Sequence, residues 1–192
     1  MRTVKYERST SETQISIELN LDGTGKSDIQ LNNKFLTHML STLSKHSLID
    51  IKIKASGDLE HHLVEDVGIA LGISIKKALG DKRGIKRFGY AIVPMDESLA
   101  QVALDLGGRG YCIQKLNCQL DIVEDIPVSL IEHFFESFAN NSSMNLHITV
   151  LYGNDDHHKL EAVYKALALS LKEAISFDER IKNQIPSTKG II

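Results

Sequence analysis

Two short stretches concentrate metal-ligating side chains: HHLVED from His61 and HHKLEA from His157. Each places two adjacent imidazoles ahead of a carboxylate, giving His61, His62 and Glu65 in one and His157, His158 and Glu161 in the other. On a helix, the first histidine and the glutamate are four apart and share a face, while the second histidine is turned away by about 100°. One helix opening can therefore present ligands in two directions. A lone histidine is usually a surface residue or a satisfied core residue. The same set appearing twice calls for a common cause.

That cause is a repeat of half the chain. The two motifs are 96 positions apart in a sequence of 192 residues, and at that offset LGISIKKAL falls on LALSLKEAI. FLTHML puts His38 23 residues before the first pair, and IEHFFE puts His133 24 residues before the second. Upstream again, ETQISIELNLDGTG from Glu12 and ESLAQVALDLGGRG from Glu97 align without a gap, each an alternating strand running into a glycine turn. The halves differ by an insertion, since Gly110 to His133 is ten residues longer than Gly25 to His38.

The elements that must hold these residues follow from periodicity. Each half reads as a strand pair, a helix with one histidine, a strand, and a helix opened by HHxxE. The first half has strands QISIELNL and DIKIKAS with helices FLTHMLSTLSKH and EDVGIALGISIKKALG. The second has strands AQVALDLG and LHITVLYG with helices VSLIEHFFESFA and LEAVYKALALSLKEAI. KRGIKRFGYAIVPMDE, containing the short strand YAIV, joins them. The expected class is α+β: internally duplicated split β-α units, two sheets with helices packed between them or on one face. Residues 1–85 form the first repeat half and 86–192 the second, the two making one compact duplicated domain.

Eight donors, His38, His61, His62, Glu65, His133, His157, His158 and Glu161, divide into two sets of three imidazoles and one carboxylate. Such a set suits a first-row divalent ion. Zinc in a closed tetrahedral site is one choice, and an octahedral ion such as Mn²⁺, which keeps two positions for substrate, is the one catalysis favours. The pattern is neither HExxH nor the inverted HxxEH, because no histidine follows Glu65 or Glu161, which disfavours zincin-type hydrolysis. His46, which corresponds to Asn141, and His147 have no histidine at the matching place and read as structural.

Composition narrows the partners. A hydrophobic content of 42% supplies a core, and a formal net charge of -3 offers no basic field to a nucleic-acid backbone. No apolar leader follows MRTVKYERSTSE, and no apolar run approaches the roughly 20 residues of a membrane span, so a soluble, cytoplasmic protein is expected. Cys112 and Cys118 form neither a CxxC motif nor a zinc knuckle and read as plain residues of an alternating strand, YCIQKLNCQL.

With FLTHML, HHLVED, RFGYAIVPMDE, DLGGRGY, IEHFFESFA, DDHHKLEAVYKA and IPSTKG in this order, nearly the whole chain resembles the imidazoleglycerol-phosphate dehydratases of histidine biosynthesis. The resemblance implies a lyase that removes water from imidazole glycerol phosphate to give imidazole acetol phosphate, with two Mn²⁺ per active site stabilising an imidazolate. It implies the same eight residues as metal ligands. Glu12 matches the family's substrate-contacting glutamate and is the expected proton-transfer group, completing a catalytic set with Glu65 and Glu161. Arg87, Arg109, Lys165, Ser187 and Lys189 match its substrate-binding positions, where arginine forks and lysine charges suit a phosphate. A homo-oligomer of 24 subunits built from trimers is implied as well. The chain departs from the family's usual pattern at Thr37, commonly Asp, and at Leu63 and Val64, where a polar residue commonly follows the histidines; no donor is lost. Two other readings use the same donors: a metal-dependent hydrolase of a phosphorylated small molecule, and a non-enzymatic metal-binding shell. The second would not need Glu12, Arg87, Arg109 and Lys189.

Overall fold

A computed structural model describes residues 1–192. The chain opens with β1 (Thr3–Ser9) and β2 (Thr13–Asn20), then β3 (Ser27–Gln30), α1 (Lys34–Ser47), β4 (Asp50–Gly57) and α2 (Glu60–Leu79). β2 turns Ile15, Ile17 and Leu19 inward while Gln14 and Glu18 face out, the period of two that a one-sided sheet demands. The sheet order is β1-β2-β4-β3, with β3 parallel to β4 because α1 crosses over between them.

Next come β5 (Phe88–Met95), β6 (Ser98–Asp105), β7 (Tyr111–Lys115), the small ribbon β8 (Ile122–Val123) and β9 (Ile126–Pro127), then α3 (Val128–Ser142), β10 (Asn145–Tyr152) and α4 (Asp156–Ile175). The second sheet runs β5-β6-β10-β7, again with its last pair parallel. It has the strand order of the first sheet, element for element, apart from the ribbon inserted between β7 and α3.

The four helices fill the space between the sheets. α1 and α2 pack on the first sheet, α3 and α4 on the second, and the layers meet along α2 with α3 and α1 with α4. The α+β class with helices packed between two sheets is thus as the sequence leads one to expect. The α2–α3 seam is tight for a definite reason: a Cβ at Gly68 would stand 2.9 Å from the Phe134 carbonyl oxygen, and one at Gly72 2.6 Å from that of Phe138. His61, Glu65, Gly68 and Gly72 follow the i, i+4, i+7, i+11 spacing of one helix face. The glycines that let the helices touch therefore continue the stripe that carries the ligands.

Several local expectations differ from the structure. α2 begins at Glu60, so the first HH pair lies inside its first turn and not ahead of the helix. Of the strand pair expected before α1, the sequence locates only β2; β1 and β3 are not located, although TVKYERS alternates, with Val4, Tyr6 and Arg8 partly buried and the residues between them exposed. β7 ends at Lys115, leaving Cys118 in the following loop and only Cys112 in the strand. The tail after Pro186 packs back on the body: a Cβ at Gly108 would lie 2.9 Å from the backbone of Ile192.

The outer faces of the two sheets contrast. On the first, Lys5, Glu18, Lys52 and Asp28 lie side by side in alternating charge across four strands. On the second, Phe88, Tyr90, Ile92, Tyr111 and Ile113 are exposed. No helix is long and apolar enough to cross a membrane.

Candidate metal centre

The fold gathers the histidines across its halves. His38 of α1 meets His157 and Glu161 of α4, and His133 of α3 meets His61 and Glu65 of α2, each trio having its donor atoms within 4.8 Å of one another. The two trios use equivalent atoms. In the first, Glu161 Oε2 lies 3.8 Å from His38 Nε2 and 3.4 Å from His157 Nε2. In the second, Glu65 Oε2 lies 3.9 Å from His61 Nε2 and 3.4 Å from His133 Nε2. These separations are too long for good hydrogen bonds. They match the spacing of roughly 3 to 4.5 Å between ligands that each stand about 2.1 Å from one ion.

Within the chain, then, three of the expected four donors converge on each centre. His62 and His158 point elsewhere, as the 100° step between adjacent helical residues requires. The inter-ring geometry is nearly the same in both pairs, 6.1 Å and 83° for His61 with His62, 6.1 Å and 82° for His157 with His158. His62 Nδ1 sits 2.8 Å from Asp58 and 3.8 Å from Glu12, and His158 Nδ1 sits 2.8 Å from Glu97. The hydrogen bonds to Asp58 and Glu97 push the His62 and His158 pKa values up, and the Glu97 carboxyl is held far below its usual range by backbone donors and by His158.

The outer contacts fit metal binding. A ligand histidine ordinarily donates one ring N–H to a carboxylate so that its other nitrogen is free for the ion. His157 has Nδ1 3.0 Å from Glu124 and Nε2 facing the trio; His62 and His158 likewise have Nδ1 on a carboxylate. Lys165 donates to Glu161 Oε1 at 2.9 Å, which leaves Oε2 for the imidazoles. Burial pushes the Glu161 carboxyl up, but the Lys165 hydrogen bond and the neighbouring charges outweigh it, so Glu161 stays below the usual carboxylate range. A cavity of about 430 Å³, lined by Lys34, Phe35, His38, Glu124, Asp125 and His157, opens beside this centre. A concavity of about 670 Å³ lies over the outer face of the first sheet among residues such as Lys5, Glu18, Asp28 and Lys52, and holds none of the donors.

Comparison with known proteins is decisive about kinship. Residues 32–171 match the family model described as imidazoleglycerol-phosphate dehydratase. A protein of that name from Dehalococcoides mccartyi (strain CBDB1) is 50% identical over 191 residues, covering 100% of this chain and 97% of its own length. The chain belongs to the imidazoleglycerol-phosphate dehydratase family. The namesake from Chlorobaculum tepidum is 46% identical, with 100% of this chain and 98% of its own covered. The enzyme from Staphylococcus aureus superposes with a TM-score of 0.84 at 32% identity, covering 92% of this chain and 99% of its own. That from Pyrococcus furiosus, solved in complex with (S)-C348, superposes at 0.85 with 35% identity, covering 97% and 100%. The family is one of hydro-lyases of histidine biosynthesis, and this chain is an enzyme of that class.

The remaining family-matched residues lie in three places. Glu12 sits beside His62, held by its neighbour Thr13, whose hydroxyl donates to buried Asp66 on α2, where Arg8 also pairs at 2.8 Å. Lys165 stands on Glu161, and its ammonium also approaches Met95 Sδ at 3.1 Å. Arg87 grips Asp105 with two hydrogen bonds of 2.7 and 3.0 Å and donates to the Pro186 carbonyl at 2.8 Å, which draws the tail with Ser187 and Lys189 toward the Gly107–Arg109 loop. Arg87 does so from a backbone φ of 73°, a left-handed conformation costly for a side chain with a Cβ. Glu12, Lys165 and Arg87 make no hydrogen bond or ion pair with one another.

Sequence reasoning missed Glu97, Asp58 and Glu124, the carboxylates that orient the histidines. Glu97 had a signal, since the repeat aligns it with Glu12. Glu124 lies in the insertion, where no counterpart exists to compare.

Proposed function

We propose that this enzyme dehydrates imidazole glycerol phosphate to imidazole acetol phosphate with two Mn²⁺ per active site, held by His38, His61, His62, Glu65, His133, His157, His158 and Glu161. The observation that carries the reading is the pair of matching trios, each presenting two Nε2 atoms and one carboxylate oxygen. The proton to be lost from this substrate is carbon-bound and has no adjacent carbonyl; the ions supply the electrophilic charge that a carbonyl would otherwise provide.

The protein's own groups do the rest. Glu124 and Lys165 orient His157 and Glu161 so that Nε2 and Oε2 face inward. Glu12, beside His62, is the proton-transfer group. Arg87, Arg109, Lys165, Ser187 and Lys189 bind the phosphorylated substrate, with Asp105 holding the Arg87 fork in one orientation.

The site is completed by copies of the chain, in a 24-subunit assembly built from trimers. Three features support this: the separation of Glu12, Lys165 and Arg87, the outward turn of His62 and His158, and the exposed apolar patch of the second sheet. The matching strand orders support descent of residues 1–85 and 86–192 from one duplicated unit. The test of the reaction is mass spectrometry of imidazole glycerol phosphate incubated with the manganese-loaded enzyme. Loss of one water with no free phosphate bears the reading out; released phosphate would make it a hydrolase instead.

A further inference from the structure

The insertion between β7 and α3 is the one large difference between the halves, and of its residues the proposed reaction uses only Glu124. Its contacts are specific. Asp125 accepts from the Lys34 and Phe35 backbone N–H groups at 2.8 and 3.0 Å, and its carbonyl accepts from Asn33 Nδ2 at 3.0 Å, so it braces the first turn of α1. Glu124 holds His157 Nδ1 at 3.0 Å. At the other end, Asp156 accepts from the Gln119 and Leu120 N–H groups at 2.7 and 2.8 Å. Buried Lys159 donates to Asp156 at 2.7 Å and to the Asn117 carbonyl at 2.9 Å.

All of these contacts converge on α1 and α4, the helices that supply His38, His157 and Glu161. The insertion meets them through two residues in left-handed backbone conformations, Asn117 at φ 53° and Glu124 at φ 54°, a strain tolerated where surrounding contacts over-determine the geometry. The other centre has less, a single contact from Asn33 Nδ2 to Glu60 at 2.7 Å on the first turn of its helix. Leu59, at the N-cap of α2, makes no side-chain cap bond, His61 has no carboxylate on Nδ1, and His133 Nδ1 comes no nearer than 3.9 Å to Glu136. Glu65 also lacks a counterpart of the Lys165 contact and is more exposed than Glu161, 36% against 13%.

We infer that the segment Asn117–Asp125 is a positioning clamp that preorganises the His38–His157–Glu161 centre alone, so that the two centres bind metal in order, this one first. The inference rests on the two trios being metal centres and goes beyond that reading by making them unequal. Glu124 and Asp125 are positioning residues, acting through His157 and through α1. Loss of such outer contacts typically lowers metal affinity 10- to 100-fold.

The test is titration of chelator-stripped protein with Co²⁺, following the visible absorption of the bound ion. The wild type is expected to take up cobalt in two steps at least about 10-fold apart in affinity. His133→Asn should abolish the weaker step only. Glu124→Ala should weaken the tighter step by about 10- to 100-fold while moving the weaker one less than about 3-fold. Glu124→Gln, which keeps an acceptor for the Nδ1–H, should restore most of that loss. Glu124 is exposed, so these variants should fold, and an unchanged circular dichroism spectrum verifies it. Asp125→Ala should weaken the same step through α1. Two indistinguishable wild-type steps, or a Glu124→Ala effect equal on both, would overturn the inference and leave the metal reading standing. No cobalt uptake at all would overturn both.

Discussion

Replacing Lys159 by methionine probes the link between the clamp and the core. Lys159 and Asp156 are each about 2% exposed and 2.7 Å apart, one turn into the helix that carries His157, His158 and Glu161. The substitution keeps the side chain's length and removes its charge. Asp156 then retains the Gln119 and Leu120 N–H donors on Oδ2 but loses its only partner on Oδ1, and the Asn117 carbonyl loses its donor. Breaking a buried ion pair from one side costs about 3–5 kcal/mol. Because two backbone donors still hold the carboxylate, the expected loss is at the low end, about 3 kcal/mol. For a chain of this size that lowers the melting temperature by about 6–12 °C. The assay is thermal and urea unfolding of the metal-free protein at fixed concentration and pH 7, followed by circular dichroism. Adding Asp156→Asn should return part of the loss, because the stranded charge is removed. A Lys159→Met cost below about 1 kcal/mol would refute the claim that this pair ties the insertion to α4.

Other consequences are equally accessible. Glu12→Gln should lower turnover by at least about 100-fold while leaving manganese stoichiometry unchanged, as measured by steady-state kinetics and elemental analysis. The Tyr164 hydroxyl is fully buried among Phe134, Phe135 and neighbours with no hydrogen-bond partner, so Tyr164→Phe should raise stability by about 1 kcal/mol in urea unfolding; a loss instead would reveal an unseen partner. Burial pushes the Cys112 thiol up to about 12 and the Cys118 thiol up to about 11, so neither should be alkylated quickly at pH 8 unless the protein unfolds. Because those folded values lie above the unfolded ones, the unfolded chain loses its thiol protons first, and stability should fall as pH rises from about 9. Cys112→Ser should flatten that fall, measured as the pH dependence of the urea midpoint.

How much of this was legible beforehand depended on repetition. The two HHxxE motifs, the helices that carry them and the central strands could be read because each feature occurs twice at one offset, which turns a weak single signal into a strong paired one. β1 and β3 are edge strands whose alternation has no burial on the outer side to sharpen it. The division of donors escaped the sequence, because His38 joins Glu161 and His133 joins Glu65 only through the helix layering. That layering is set by close approaches such as Gly72 against Phe138, which no periodicity announces. The carboxylates behind the histidines come from turns and from the insertion, where a single Asp or Glu looks like any solvated residue. Arg87 read as a free phosphate fork; in the structure Asp105 and the tail already occupy part of it.

The central claim is that the two histidine clusters hold the ions on which dehydration depends. It is tested most directly by stripping the protein with a chelator, removing the chelator, and measuring imidazole acetol phosphate formation as Mn²⁺ is added back. The account predicts no product from the stripped protein and activity that rises in step with metal bound, reaching its limit when both clusters are full. Full activity in the stripped protein, or none with both clusters filled, would contradict it.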